Sequence, residues 1–446
     1  MQQANNEQML KSLMNNIQSS GLKQKLIFTF LMIALFRFGA QLPIFGINNE
    51  AFLALAQGNN IIGFLDLFSG GALGKVSIFA LGIGPYITSS IVMQLLAVIV
   101  PPLERLQKED GEAGRRKIQQ ITRMFTVVVA VMQALVFVLL LSKLPGAIIH
   151  GLNPFLFYTG SIVALTAGAI FVMWIGELIT EKGIGNGASL IIFVGILAGI
   201  PLYTQRTATL VSGDPGLQLK LLVLLTIFMA ATVFIIILHD AVRKVPIVSA
   251  RRQVGNKVYG GQNSNIPFKL NPGGVMPIIF AIAIMLFPTT ILELLNQMQI
   301  KNVALNSALT TLNSFLSPTS VSYYIIYFLL IVALTFFYAS IIPSMQPKEI
   351  ADNLKKYGSA IPGVKPGKPT ADKLDEILTR LMFIGAIALG IIAMVPSVSS
   401  KITDITTLQG LGATSLIIMV GVALDFINRI KTHMLAKNYE TFLKQQ

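Results

Sequence analysis

Apolar residues in this chain fall in long unbroken blocks, without the two-residue alternation of strands or the single apolar stripe of a soluble helix. Runs near the ~20 residues that cross a ~30 Å hydrocarbon core as a helix lie at 22–42, 76–100, 121–141, 154–175, 188–203, 217–238, 274–295, 321–342, 377–395 and 408–427. This pattern predicts an all-α membrane protein with ten transmembrane helices. Ten spans divide into five plus five about the basic stretch 243–269. Two units with an odd number of spans must lie in opposite orientations, so any repeat is an inverted one. The expected division is an N-terminal segment at 1–21, one half at 22–204, a second half at 205–428 and a tail at 429–446, with long loops near 239–272 and 343–376. Residues 1–21 are polar and lack the three-part pattern of a cleaved leader, so the first span is expected to act as a signal anchor.

Three stretches break the blocks. Residues 61–69 (IIGFLDLFS) are apolar but short, and as a helix they would rise only ~15 Å at ~1.5 Å per residue. They must re-enter the membrane from outside or lie on its surface, and the residues alone leave both open. In the second span, Gly82, Gly84 and Pro85 predict a kink with close packing. The stretch from Gly183 to Gly187 has the wrong glycine spacing for a dinucleotide turn and follows a span, so it is expected to be a turn between helices.

Charge changes the picture by giving it a direction. Charged residues make up only 12% of the chain, against ~25% in an ordinary soluble domain, and the net charge is +14. The basic residues gather on one side: Lys11, Lys23 and Lys25, Arg105 to Arg123, Lys182, Arg243 to Lys269, Lys348 to Arg380, and the tail. The other side holds only Lys75, Lys143, Arg206, Lys220, Lys301 and Lys401. By the positive-inside rule, both termini are expected in the cytoplasm.

Catalytic chemistry has no visible home. The chain has no cysteine, and its three histidines, His150, His239 and His433, are scattered. No carboxylate or histidine cluster has metal-ligand spacing, and no nucleophile elbow occurs. Gly74-Lys75 lacks the glycine and hydroxyl of a P-loop, so the chain carries no nucleotide motor. Neither an enzyme nor a bound cofactor is expected. Among charges within the spans, Glu177 and Glu293 sit at span ends, Asp425 precedes Arg429 by four residues, and Arg37 is placed to snorkel. All four read as anchors, which disfavours the alternative of a secondary transporter for a small solute. The clusters Arg243-Lys244, Arg251-Arg252 and Lys355-Lys356 suit an acidic partner or anionic lipid.

Four segments together closely resemble the SecY family, the channel subunits of bacterial-type protein translocases. They are FSGGALGKVSIFALGIGPYI from Phe68 to Ile87, GRRKI from Gly114, GELITEKGIGNG from Gly176 to Gly187, and ADNLKK from Ala351. The resemblance extends from the first span to the last. It implies a clamshell of inverted halves around an hourglass pore, passing unfolded polypeptide across the membrane and releasing apolar segments sideways into lipid. It favours re-entry for 61–69 as a plug, with Ile61, Ile62, Phe64, Leu65, Leu67 and Phe68 as its apolar body.

The family's pore constriction falls on Ile83, Ile87, Ala188, Ile192, Ile279 and Ile418. The first four form two pairs at the i,i+4 spacing that shares a helix face. The side opening lies between spans two and three and spans seven and eight, where some of Thr88, Ser89, Gln133 and Asn271 are expected to hydrogen-bond across the closed gate. Docking is expected at Arg243, Lys244, Arg251, Arg252, Lys355, Lys356 and Lys365. The implied partners are SecE, SecG, the motor ATPase SecA, the ribosome and preproteins bearing signal sequences, and the implied location is the bacterial plasma membrane. Two residues depart from the family pattern: Ala188 where a bulkier residue is common, and Lys365 where arginine is typical.

Overall fold

Each of the ten expected runs contains a helix in the computed structural model. The structure describes residues 21–48, 69–108, 111–142, 146, 148–149, 153–213, 216–249, 252–254, 257–259, 263–297, 303–316, 320–341, 345–403 and 413–444. The body of the expected plug, 61–68, lies outside the described residues. In chain order the helices are α1 (Leu22–Gly39), α2 (Gly84–Ile99), α3 (Pro101–Lys108), α4 (Gly111–Ser142), α5 (Pro154–Lys182), α6 (Gly187–Gly213) and α7 (Gly216–Asp240). After four strands come α8 (Met276–Gln297), α9 (Val303–Leu316), α10 (Val321–Ile341), α11 (Pro347–Lys356), α12 (Lys368–Thr403) and α13 (Ala413–Lys444). Among the described residues α4, α5, α6, α7, α10 and the part of α12 up to Val395 are long and apolar enough to cross a membrane.

Helix packing repeats after five spans. In the first half α1 packs on α5 and α6, α2 on α4, α4 on α5, and α5 on α6. In the second half the counterparts do the same: α7 on α12 and α13, α8 on α10, α10 on α12, and α12 on α13. The halves join where α2 meets α8, where α6 meets α7 and α13, and where α13 meets α1.

The second span begins later than its apolar run suggests. Residues 76–83 form turns, interrupted at Ser77 by an isolated bridge to Pro43, and α2 starts only at Gly84. Gly82 has φ +54°, and Pro85, in the first turn, brings no N–H where none would be paired. The glycines and proline therefore start the helix, in place of the kink they were expected to make.

The long loops are folded structures in their own right. Strand β1 (Val242–Ser249) pairs antiparallel with β4 (Asn263–Lys269) on one side and with β5 (Ser359–Ala360) on the other. Between them β2 (Arg252–Val254) and β3 (Lys257–Tyr259) form a small hairpin. One sheet thus unites the loop after α7 with the loop after α11. Val245, Phe268, Leu354, Ile361, Leu374, Leu378 and Leu381 bury a separate small core beneath it.

Candidate functional site

The residues expected at the constriction lie beside close approaches of the backbone. At the α5–α6 crossing a Cβ on Gly187 would lie 1.9 Å from the Gly176 carbonyl oxygen, so only glycine fits. The turn that delivers Gly187 is held at both ends: its N–H donates to Thr180 Oγ1 at 2.8 Å, and the Ser189 N–H donates to Asn186 Oδ1 at 3.2 Å. The Ile184 N–H donates to Thr29 Oγ1 of α1 at 3.1 Å, anchoring the turn to a third helix. The glycine-rich stretch is therefore the expected helix-to-helix turn. It fixes Ala188 in the first turn of α6 and Ile192 one turn further on.

Ile83 precedes α2 directly and accepts a backbone bond from the Ile87 N–H at 3.1 Å, so these two are also one turn apart. A Cβ built on Gly176 would meet Ile83 Cδ1 at 3.3 Å and the Ala188 nitrogen at 3.6 Å. Ile83 and Ala188 hence flank the same glycine. In the second half, a Cβ on Gly421 would lie 2.3 Å from Val275 Cγ2, marking a tight crossing of α13 with the turn before α8. Ile279 donates its N–H to the Val275 carbonyl at 3.2 Å, and Ile418 precedes Gly421 by three residues, so both lie within one turn of that crossing. Ile83, Ile87, Ile192, Ile279 and Ile418 are all buried in one apolar cluster, with half-buried Ala188 packed against it.

The chain leaving the expected plug reaches the same place. A Cβ on Gly70 would sit 3.1 Å from Gly195 Cα, and Gly195 follows Ile192 by three residues on α6. Arg37, expected to snorkel, instead donates from Nη1 to the Gly70 carbonyl at 2.5 Å. The Gly70 backbone, at φ +72°, is in a left-handed turn that leaves this carbonyl outside any helix ladder.

The gate residues make local bonds. Ser89 Oγ donates to the Pro85 carbonyl at 2.7 Å, Thr88 Oγ1 to the Gly84 carbonyl at 3.1 Å, and Asn271 Nδ2 to the Gly274 carbonyl at 2.9 Å. For these three, the donated bonds lie within their own helix or turn. Hydroxyls in a helix find the i−4 carbonyl at hand, whereas a partner on another helix needs a fixed approach. Gln133 is half-buried on α4. The α2–α8 contact itself is made by the helices packing directly.

Charges within the spans join neighbouring helices. Glu177 Oε1 of α5 accepts from Arg123 Nε of α4 at 2.8 Å and from Gln119 Nε2 at 3.1 Å. Asp425, expected to pair with Arg429, lies with Oδ1 3.2 Å from His239 Nε2 of α7 instead. The side chain of Glu293 lies outside the described residues.

Among the docking candidates, Arg243 and Lys244 are exposed on β1, Lys355 and Lys356 are exposed in the last turn of α11, and Lys365 is exposed in the loop that follows. The β1–β5 pairing and the core beneath it carry these residues on one folded unit. Arg252 lies on β2, with its side chain outside the described residues, as is Arg251 altogether. Sequence reasoning missed the glycine crossings and the sheet. Small residues inside apolar runs signalled the first, and the alternating Val245 and Ile247 of β1 hinted at the second.

The SecY family model matches residues 77–427. The protein translocase subunit SecY of Synechococcus elongatus is 44% identical over 438 residues, covering 96% of this chain and 95% of its own. The SecY of Aquifex aeolicus is 41% identical over 431 residues, covering 95% of this chain and 97% of its own. Among solved structures, a protein-conducting channel aligns with a TM-score of 0.66 at 18% identity, covering 92% of each chain. Sec61 from a canine ribosome–channel complex aligns with a TM-score of 0.62 at 16% identity and the same coverage. The structures fix the fold. With identity above 40% over nearly the whole length of both relatives, the chain belongs to the SecY family of protein translocase subunits and is a multi-pass membrane channel for polypeptides.

Proposed function

We propose that Ile83, Ile87, Ala188, Ile192, Ile279 and Ile418 form the constriction through which unfolded polypeptide passes, with 61–69 as the plug on its outer side and α2 and α8 as the parting edges of the side gate. One observation carries this reading: residues from α2, α6, α8 and α13, two helices from each half, converge in a single apolar cluster. An apolar collar disfavours a continuous water thread and offers a passing chain no fixed hydrogen bonds, so it resists ion leak without gripping its cargo. The proximity of Gly70 to the turn of α6 beyond Ile192 supports a plug that stops the collar from one side.

The basic sheet unit and α11 are the docking face for an acidic partner, whether the SecA motor or ribosomal RNA. The Sec61 relative solved within a ribosome–channel complex supports this reading. SecE and SecG complete the assembly, both termini are cytoplasmic, and the membrane is the bacterial plasma membrane. The channel itself makes and breaks no bonds in its cargo. Ile87→Ser and Ile418→Ser test the collar, because each puts a hydroxyl into it. Single-channel recordings of the reconstituted translocase should show raised resting leak, and wild-type leak in both variants would remove these residues from the pore.

A further inference from the structure

A small cavity of about 10 Å³ lies between α7, the turn that launches α8, α12 and α13, with His239, Asn271, Gly274 and Gly421 in its lining. Both polar side chains are more than nine-tenths buried. His239 Nε2 and Asn271 Oδ1 are buried atoms that no protein group satisfies. Asp425 Oδ1 stands 3.2 Å from Nε2, yet Nε2 makes no hydrogen bond to it. The Asn271 amide is oriented by its own donor, since Nδ2 bonds the Gly274 carbonyl at 2.9 Å. That bond leaves Oδ1 as the end without a protein partner. Leaving either atom unsatisfied destabilises the fold, because the lost hydration of a buried polar atom is not repaid.

We propose that this cavity is a binding site for one water molecule, and that the water joins α7 to the turn from which α8 starts. The volume matches one water, which needs ~10–15 Å³ and two to four polar partners. Water is the fitting ligand because it both donates and accepts. It donates to Asn271 Oδ1, and it serves His239 in either neutral tautomer. A bridging water is nearly as favourable as a direct hydrogen bond and holds no rigid angle, so it suits a joint at the base of α8, the helix proposed above as an edge of the side gate.

The test has two arms. A map of the unmodified channel, at a resolution that shows ordered water, should contain a density peak within hydrogen-bond distance of both Nε2 and Oδ1. In the second arm, His239→Phe, Asn271→Leu and the double variant are compared by melting temperature in detergent. Each single change strands the polar group opposite, so the double variant should lose less than the sum of the two single losses. Well-ordered side chains with no peak between them overturn the proposal, and so do losses that simply add. The map does not depend on the variants folding, and neither arm depends on which residues form the constriction.

Discussion

Ala188 is the small member of an otherwise isoleucine set, and it lies in the first turn of α6 against the Gly176–Ile83 contact. Its half-buried position beside the buried cluster means that added carbon atoms there meet apolar neighbours. Ala188→Ile adds three carbons, which at ~0.8 kcal/mol per buried methylene gives about 2 kcal/mol in favour of the closed state. The expected outcome is lower resting leak in single-channel recordings and weaker export of preproteins with marginally apolar signal sequences. Should the site lack room, overpacking of ~1–3 kcal/mol would splay the collar and raise leak. An unchanged leak together with unchanged export would place Ala188 outside the constriction. The place proposed for this residue was legible only through the family resemblance, because one alanine in an apolar run carries no signal of its own.

At the scale of elements, the glycine crossings decide where the helices stand. Gly187 faces backbone at 1.9 Å from where its Cβ would be, whereas a Cβ on Gly160 of α5 would meet nothing within 4 Å. A side chain can rotate away, but a carbonyl in a helix cannot. Gly187→Ala should therefore force α5 and α6 apart, lowering the melting temperature and export of the reconstituted translocase, while Gly160→Ala leaves both near wild type. Equal behaviour of the two variants would show that the crossing tolerates a methyl group.

The existence and order of the helices were readable because ~20 apolar residues in a row have few other stable forms in lipid. The start of α2 was not readable, because the residues at 76–83 are as apolar as a helix but pack as turns under Gly82 and Pro85. The local bonds of Thr88 and Ser89 were not readable for a related reason, since their residue types do not say whether a carbonyl of their own helix is nearer.

The α2–α8 contact also permits a direct test of the side gate. The chain has no native cysteine, so one cysteine introduced on each of these helices yields a single defined crosslink. Closing it should block both translocation and the lateral release of apolar segments, and reduction should restore them. Normal transport through the oxidised channel would place the gate elsewhere.

Over the whole molecule, the membrane bundle and the basic sheet are separately built. The bundle follows from run length, but the sheet depends on a pairing between β1 and β5, more than a hundred residues apart in the chain. Sequence patterning shows neither partner to the other. Charge clustering pointed to the loops as docking candidates, and only the fold joins them through one sheet. The pairing brings Arg243 and Lys244 of one loop onto the same folded unit as Lys355 and Lys356 of the other. These lysines close α11, where the helix dipole favours positive charge. All four are exposed, so reversing them removes no packing and should leave the melting temperature near wild type. Replacing each pair by glutamate should weaken binding of the SecA motor or of ribosomes to the reconstituted channel, and replacing all four should weaken it further. The gap between variant and wild type should be widest at low salt and narrow as salt rises, because the screening length falls from ~30 Å at 0.01 M to ~8 Å at 0.15 M. Each neutralised contact should also flatten the salt dependence itself. Affinities for both partners that match wild type at every salt concentration would return these residues to the simpler task of holding the loops on one side of the membrane.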